Sequence, residues 1–242
     1  MSSDWPPRLY VVLILGVVSF AFAPILVRWA GDVPALAIAV WRTVTAAAVL
    51  WPAAAVRIGP EVRRFTHHDV GLIVAAGIFL GLHFIAWIES LSHTTVASAS
   101  VLVTTSPLLL AVLGYLILGE RLSLTTVIAI GAAVSGAAVI GWADAGKVDL
   151  GRGALVGNSL AFGGAVLVRV YLLIGRVVRQ QVSWLAYGTP LYTVAALTAL
   201  LAALLQGTPL LGYSWTMYGL CAGLALGPQV LGHGSFNYAL PY

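Results

Sequence analysis

His83, Glu89 and His93 lie within residues 81–94, GLHFIAWIESLSHT, among Phe, Ile, Trp and Leu. At helical spacing they separate into two stripes, His83-Trp87-Ser90-Thr94 on one and Glu89-His93 on the other. An imidazole over an indole, with hydroxyls beyond, makes a flat amphipathic wall able to hydrogen-bond a ligand. The plainer alternative is a neutral histidine satisfied by a neighbouring helix's backbone or hydroxyl. Glu89 and His93 are either wet charges at a helix end or a proton site that drives export. Arg42 in "AIAVWRTVTAAAVL" is roughly 12 Å inside its segment if that segment is helical. It either snorkels outward to the headgroups or is a cavity cation that binds a substrate carboxylate or pairs with Glu89. His233 and Asn237, four apart in "GHGSFNYAL", share another face near the inner end of their segment.

The elements that must carry these groups follow from composition. The chain is 60% hydrophobic and 8% charged, against about 25% charged in an ordinary soluble domain. Such a surface suits lipid, so we read an all-α integral membrane protein in a lipid bilayer. Eight segments are long enough to cross roughly 30 Å of hydrocarbon: 9–28, 34–56, 70–91, 96–118, 123–142, 153–175, 183–206 and 213–239. The alternation of a membrane β-barrel is missing. Ala21-Phe22-Ala23 mimics a signal-peptide cleavage site, but Pro24 follows it, so 9–28 is read as a retained span. With the N-terminus cytoplasmic, Arg8, Arg57, Arg63, Arg64, Arg121, Arg176 and Arg179 lie inside, against Arg28, Lys147 and Arg152 outside. The basic balance thus reflects topology and needs no nucleic-acid partner. A single cysteine, Cys221, excludes an intrachain disulfide.

Shifting the chain by 149 positions overlays the second segment on the seventh and the third on the eighth. Leu36-Ala37 then meets Leu185-Ala186, Ala46-Ala47 meets Ala195-Ala196, Pro60 meets Pro209 and Leu91 meets Leu240. A first unit of five spans, residues 1–147, and a second at 148–242 would therefore be inserted in opposite senses, as in secondary transporters. The second unit holds three spans, and two more are expected after it.

Residues 82–141, with W-x-x-S-L at Trp87–Leu91, Ser106-Pro107 and Gly119-Glu120-Arg121, resemble the EamA family of drug/metabolite transporters. Arg42 matches that family's second-span arginine, and Gly232-His233 with 237–240 matches its GH-x-x-x-N-x-AL element. The resemblance implies a ten-helix, 5+5 inverted-repeat exporter or exchanger of small metabolites in the prokaryotic inner membrane, here C-terminally incomplete. It implies a cavity lined by Trp41, Arg42, His83, Trp87, Ser90, Thr105, His233 and Asn237, with Glu89 as a candidate for proton coupling. It names no cofactor and no metal.

Rival readings are weaker. H-E-x-x-H and G-x-S-x-G are missing, which argues against a metalloprotease or serine hydrolase, and the chain is not read as an enzyme. A channel would want a charged ring or a carbonyl filter. A non-transporting scaffold or half-unit stays open. Glu120-Arg121 is read as helix-end charge, with Ser123 starting the next helix. Gly77/Gly81, Gly153/Gly157 and Gly219/Gly223/Gly227 repeat at four, which suits close helix packing. This spacing leaves a homodimer open without requiring one.

Overall fold

The computed structural model of the protein describes residues 6–104, 109, 112, 115, 121–145 and 151–241. All regular elements among them are helical: α1 (Pro7–Ala21), α2 (Ala23–Trp29), α3 (Ala35–Arg57), α4 (Gly59–Val62), α5 (His67–His93), α6 (Val96–Thr104), α7 (Leu124–Ala145), α8 (Gly151–Val178), α9 (Trp184–Leu205), α10 (Trp215–Leu224), a π-helical segment (Ala225–His233) and α11 (Gly234–Ala239). Five stretches are long and apolar enough to cross a membrane: Pro7–Trp29, Ala35–Arg57, His67–His93, Gly153–Val178 and Trp184–Leu205. Each coincides within a few residues with an expected span. The expected span 96–118 lies largely outside the described residues, as do Ser106-Pro107 and Gly119-Glu120.

Polar side chains set many helix starts. Thr66 and Asp69 cap α5 reciprocally, with Asp69 N–H donating to Thr66 Oγ1 at 3.1 Å and Thr66 N–H to Asp69 Oδ2 at 2.9 Å. Ser183 Oγ accepts from Ala186 N–H at 3.2 Å, Ser214 Oγ from Met217 N–H at 3.3 Å, and Ser123 Oγ from Thr126 N–H at 3.1 Å. Thr95 Oγ1 accepts from Ser98 N–H at 3.0 Å ahead of α6. These satisfy amide donors that a first helical turn otherwise leaves without partners.

Two expected spans are not continuous α-helices. The first breaks at Phe22, between α1 and α2. Pro24 has no N–H and its ring crowds the carbonyl four residues back, so the ladder cannot run through. The last is α-helical to Leu224, π-helical from Ala225 to His233 around Pro228, and α-helical again to Ala239. A proline removes an i−4 bond in the same way, and slippage to i−5 pairing is one way a helix absorbs it.

The described residues form two compact units, Met1–Leu82 with Tyr171–Tyr242, and His83–Val170. In the first, α3 and α9 run antiparallel. Trp51 Nε1 donates to Thr193 Oγ1 at 3.1 Å, and Ala54 and Ile58 cluster with Ala186. At the other end Trp41 Nε1 donates to the Leu210 carbonyl at 2.7 Å. Continued along both helices, this pairing brings the stretch around Ala46-Ala47 opposite that around Ala195-Ala196, and all four alanines are buried. The first half of α5 runs parallel to α9, because a Cβ placed on Gly77 would fall 2.5 Å from Val194 Cβ and one on Gly81 would fall 2.8 Å from Thr198 Cβ. α1 lies against the π-helical segment and α11, with Phe20 stacked edge-on to His233 at 4.7 Å.

One end of this unit is tied by the segments that follow α3 and α8. Ser183 N–H donates to Glu61 Oε2 at 2.7 Å, and Phe65, Val182 and Leu185 pack on the Ala54–Ile58–Ala186 cluster. The Arg-rich 57–64 segment and the Arg176–Ser183 segment therefore share one end, as the charge count requires. In the second unit α5 and α8 run antiparallel. A Cβ on Gly157 would fall 2.8 Å from Thr94 N, and Thr94 Oγ1 donates to Asn158 Oδ1 at 2.7 Å. Outward-facing α1 and α9 residues, including Val11, Ile14, Leu15, Leu197 and Leu201, are apolar and exposed, as a hydrocarbon solvent demands.

Candidate functional site

The first compact unit holds Trp41, Arg42, His233 and Asn237. Arg42 is 1% exposed, so its side chain does not snorkel outward. Its Nε donates to Gln229 Oε1 at 3.1 Å. Gln229 is fully enclosed, and its main-chain carbonyl accepts the Tyr192 hydroxyl at 3.0 Å. The π-helical pairing explains that second contact, since widening the helix turns carbonyls out of the ladder toward side-chain donors. His233 Nδ1 lies 2.9 Å from the Tyr171 hydroxyl. Asn237 is fully buried and gives its main-chain carbonyl to Arg179 Nε at 3.0 Å. Its carboxamide faces the Tyr192 hydroxyl without a bond of full hydrogen-bond geometry. Trp41 lies apart from this seam, edge-on to Tyr218 at 5.0 Å.

The second unit holds His83, Trp87, Ser90 and Glu89. The stripe His83-Trp87-Ser90-Thr94 is buried throughout, so it faces protein and not lipid. His83 Nδ1 lies 2.8 Å from the Gly164 carbonyl oxygen. A carbonyl can only accept, so the proton sits on Nδ1. That is the backbone-satisfied arrangement for this nitrogen. Ser90 donates to the Trp87 carbonyl at 2.6 Å within its own helix. Glu89 and His93 form an i,i+4 pair at 3.0 Å, with side chains 42% and 38% exposed. Thr105 lies outside the described residues. Among the described residues no group of three or more His, Cys, Asp or Glu converges to hold a metal.

Gln229, Tyr192, Tyr171 and Arg179 were not among the residues the spacing singled out. Gln229 carries the clearest overlooked signal, a carboxamide beside a proline inside an apolar span. The two tyrosines are indistinguishable by sequence from interfacial anchors.

An all-helical chain with five membrane-crossing helices and these buried polar contacts is a multi-pass membrane protein. The sequence model of the EamA-like transporter family matches residues 8–142, more than half of the chain, and the chain belongs to that family. It is 28% identical over 127 residues to the protein named "Uncharacterized transporter YetK" of Bacillus subtilis (strain 168). That match covers 51% of this chain and 38% of YetK, so the shared stretch spans well under half of the relative's length. A solved structure titled "Crystal structure of protein" superimposes with a TM-score of 0.69 at 17% identity, covering 98% of this chain and 80% of that one. At that identity the likeness is one of fold.

Proposed function

We propose that this chain is a secondary carrier of small metabolites, such as amino acids or related compounds, in the prokaryotic plasma membrane. It exports or exchanges them by alternating access. In this reading the eight spans belong to a ten-helix fold of two inverted five-helix repeats, residues 1–147 and 148–242 holding the first repeat and the start of the second. The N-terminus is cytoplasmic. The observation that carries the proposal is the antiparallel pairing of α3 with α9, which the 149-residue overlay makes equivalents. Two copies of one element related by a two-fold axis in the membrane plane must cross near positions that map onto each other, and Ala46-Ala47 and Ala195-Ala196 do so. Family membership supports the same reading.

Trp41, Arg42, His83, Trp87, Ser90, Thr105, His233 and Asn237 are the residues we assign to the substrate path, with Glu89 as the proton-coupling group. The test is counterflow of labelled amino acids into proteoliposomes carrying the product of the complete gene. Saturable exchange is expected, and Glu89→Gln should remove pH-driven uptake while sparing counterflow. Purified, folded protein that exchanges no metabolite would favour the scaffold reading. Chemical turnover without movement would favour an enzyme.

A further inference from the structure

Within the first compact unit, buried polar groups from three helical elements join in one seam. Arg42 of α3 donates to the Gln229 side chain at 3.1 Å, Tyr192 of α9 donates to the Gln229 main chain at 3.0 Å, and the Asn237 carboxamide of α11 faces the Tyr192 hydroxyl. None of the four residues is more than 1% exposed. Yet Gln229 Nε2, Asn237 Nδ2 and Asn237 Oδ1 have no hydrogen-bond partner, and neither does the Tyr187 hydroxyl on the same helix as Tyr192. Leaving several polar groups buried and unsatisfied in one place is costly, so native proteins keep such groups for a ligand, an ion or a bound water.

The orphans indicate what would satisfy them. Gln229 Oε1 is already committed to Arg42, so what remains is an NH2 group, a pure donor. Asn237 adds a second NH2 and one acceptor, and Tyr187 adds a hydroxyl that can donate. The formal charge brought to the seam is positive, from Arg42 and from Arg179, whose Nε holds the Asn237 carbonyl at 3.0 Å. A water-poor site rich in N–H donors and positive charge complements an acceptor-only oxyanion, and charge-assisted bonds of this kind are roughly twice as strong as neutral ones. Water would satisfy the same N–H groups without preferring either sign of charge.

We infer that Arg42, Gln229 and Asn237 form a binding site for the carboxylate group of a small organic anion, closed by Tyr192 and Tyr187. This deepens the carrier proposal by giving the charge of what is carried. It is tested by equilibrium binding, which needs no flux. The probe is sodium acetate, titrated into the purified chain in detergent at constant ionic strength set with sodium chloride, with acetamide as the uncharged isostere. The expected result is a Tm that climbs with the logarithm of acetate concentration and does not respond to acetamide. Gln229→Leu should weaken acetate binding at least about tenfold. Gln229→Glu, which sets a carboxylate beside Arg42, should raise the ligand-free Tm and abolish the acetate response. Asn237→Asp serves the same purpose if the Gln229 variants do not fold. No acetate response, an equal response to acetamide, or an acetate response untouched in the Glu and Asp variants would overturn the assignment. Acetate binding that persists in a protein showing no counterflow would instead sink the carrier reading and leave the site standing.

Discussion

Arg179 holds two main-chain carbonyls at once, Asn237 through Nε at 3.0 Å and Val182 through a terminal guanidinium nitrogen. Its side chain is buried, so these acceptors have no water to turn to when it is removed. Arg179→Met keeps the stem that packs and deletes the donors. It should destabilise the protein by about 1–3 kcal/mol, the usual cost of stranding buried polar groups. Arg179→Lys should recover only part of this, because one ammonium cannot reproduce the planar fork that reaches both oxygens. Thermal unfolding in detergent reads both variants. A Met variant as stable as the native chain would show that the two contacts contribute nothing. By count, Arg179 registers only as one more inside charge; its clamp depends on Asn237, 58 positions along the chain, which no local pattern brings near.

At the scale of elements, glycine placement separates tight crossings from idle spacing. Gly153 and Gly157 stand four apart on α8, but a Cβ would fall 3.9 Å from His93 O at the first and 2.8 Å from Thr94 N and His93 C at the second. Replacing a helical glycine by alanine gains about 1 kcal/mol of propensity. Forcing a methyl against a neighbour's backbone costs roughly 1–3 kcal/mol. Gly153→Ala should therefore be neutral or slightly stabilising, while Gly157→Ala should lower the Tm by separating α5 from α8 and straining the bond between Thr94 and Asn158. Equal Tm values for the two would mean that the crossing is looser than described. The sequence spacing marks both glycines alike, and only packing distinguishes them. Helix starts are the opposite case, because Thr66, Thr95, Ser123, Ser183 and Ser214 act on amides two or three residues away and are readable without a fold. Pro24 and Pro228 announce interruptions in the same local way. Whether the result is a break, as at Phe22, or π-helical turns, as around Gln229, depends on what the freed carbonyls meet, and the Tyr192 hydroxyl comes from a different helix.

At the scale of the whole molecule, the bond between Ser183 N–H and Glu61 makes the topology testable. The segments 57–66 and 179–183 must leave the membrane on one face, and their arginines place that face in the cytoplasm. The Asp32 turn and the 206–214 turn lie at the other end of α3 and α9, where Trp41 Nε1 reaches the Leu210 carbonyl, so they must leave on the opposite face. Removing the buried native thiol by Cys221→Ser gives a background in which single cysteines can be set at Arg63, Gln180, Asp32 and Leu211, all four exposed. A membrane-impermeant maleimide added to intact cells should label the cysteines at 32 and 211 and spare those at 63 and 180; in everted vesicles the pattern should reverse. Reversal of all four would turn the protein over but keep the pairing of ends. Labelling of 63 and 180 from opposite faces would break the antiparallel pairing of α3 with α9, and with it the inverted repeat on which alternating access depends.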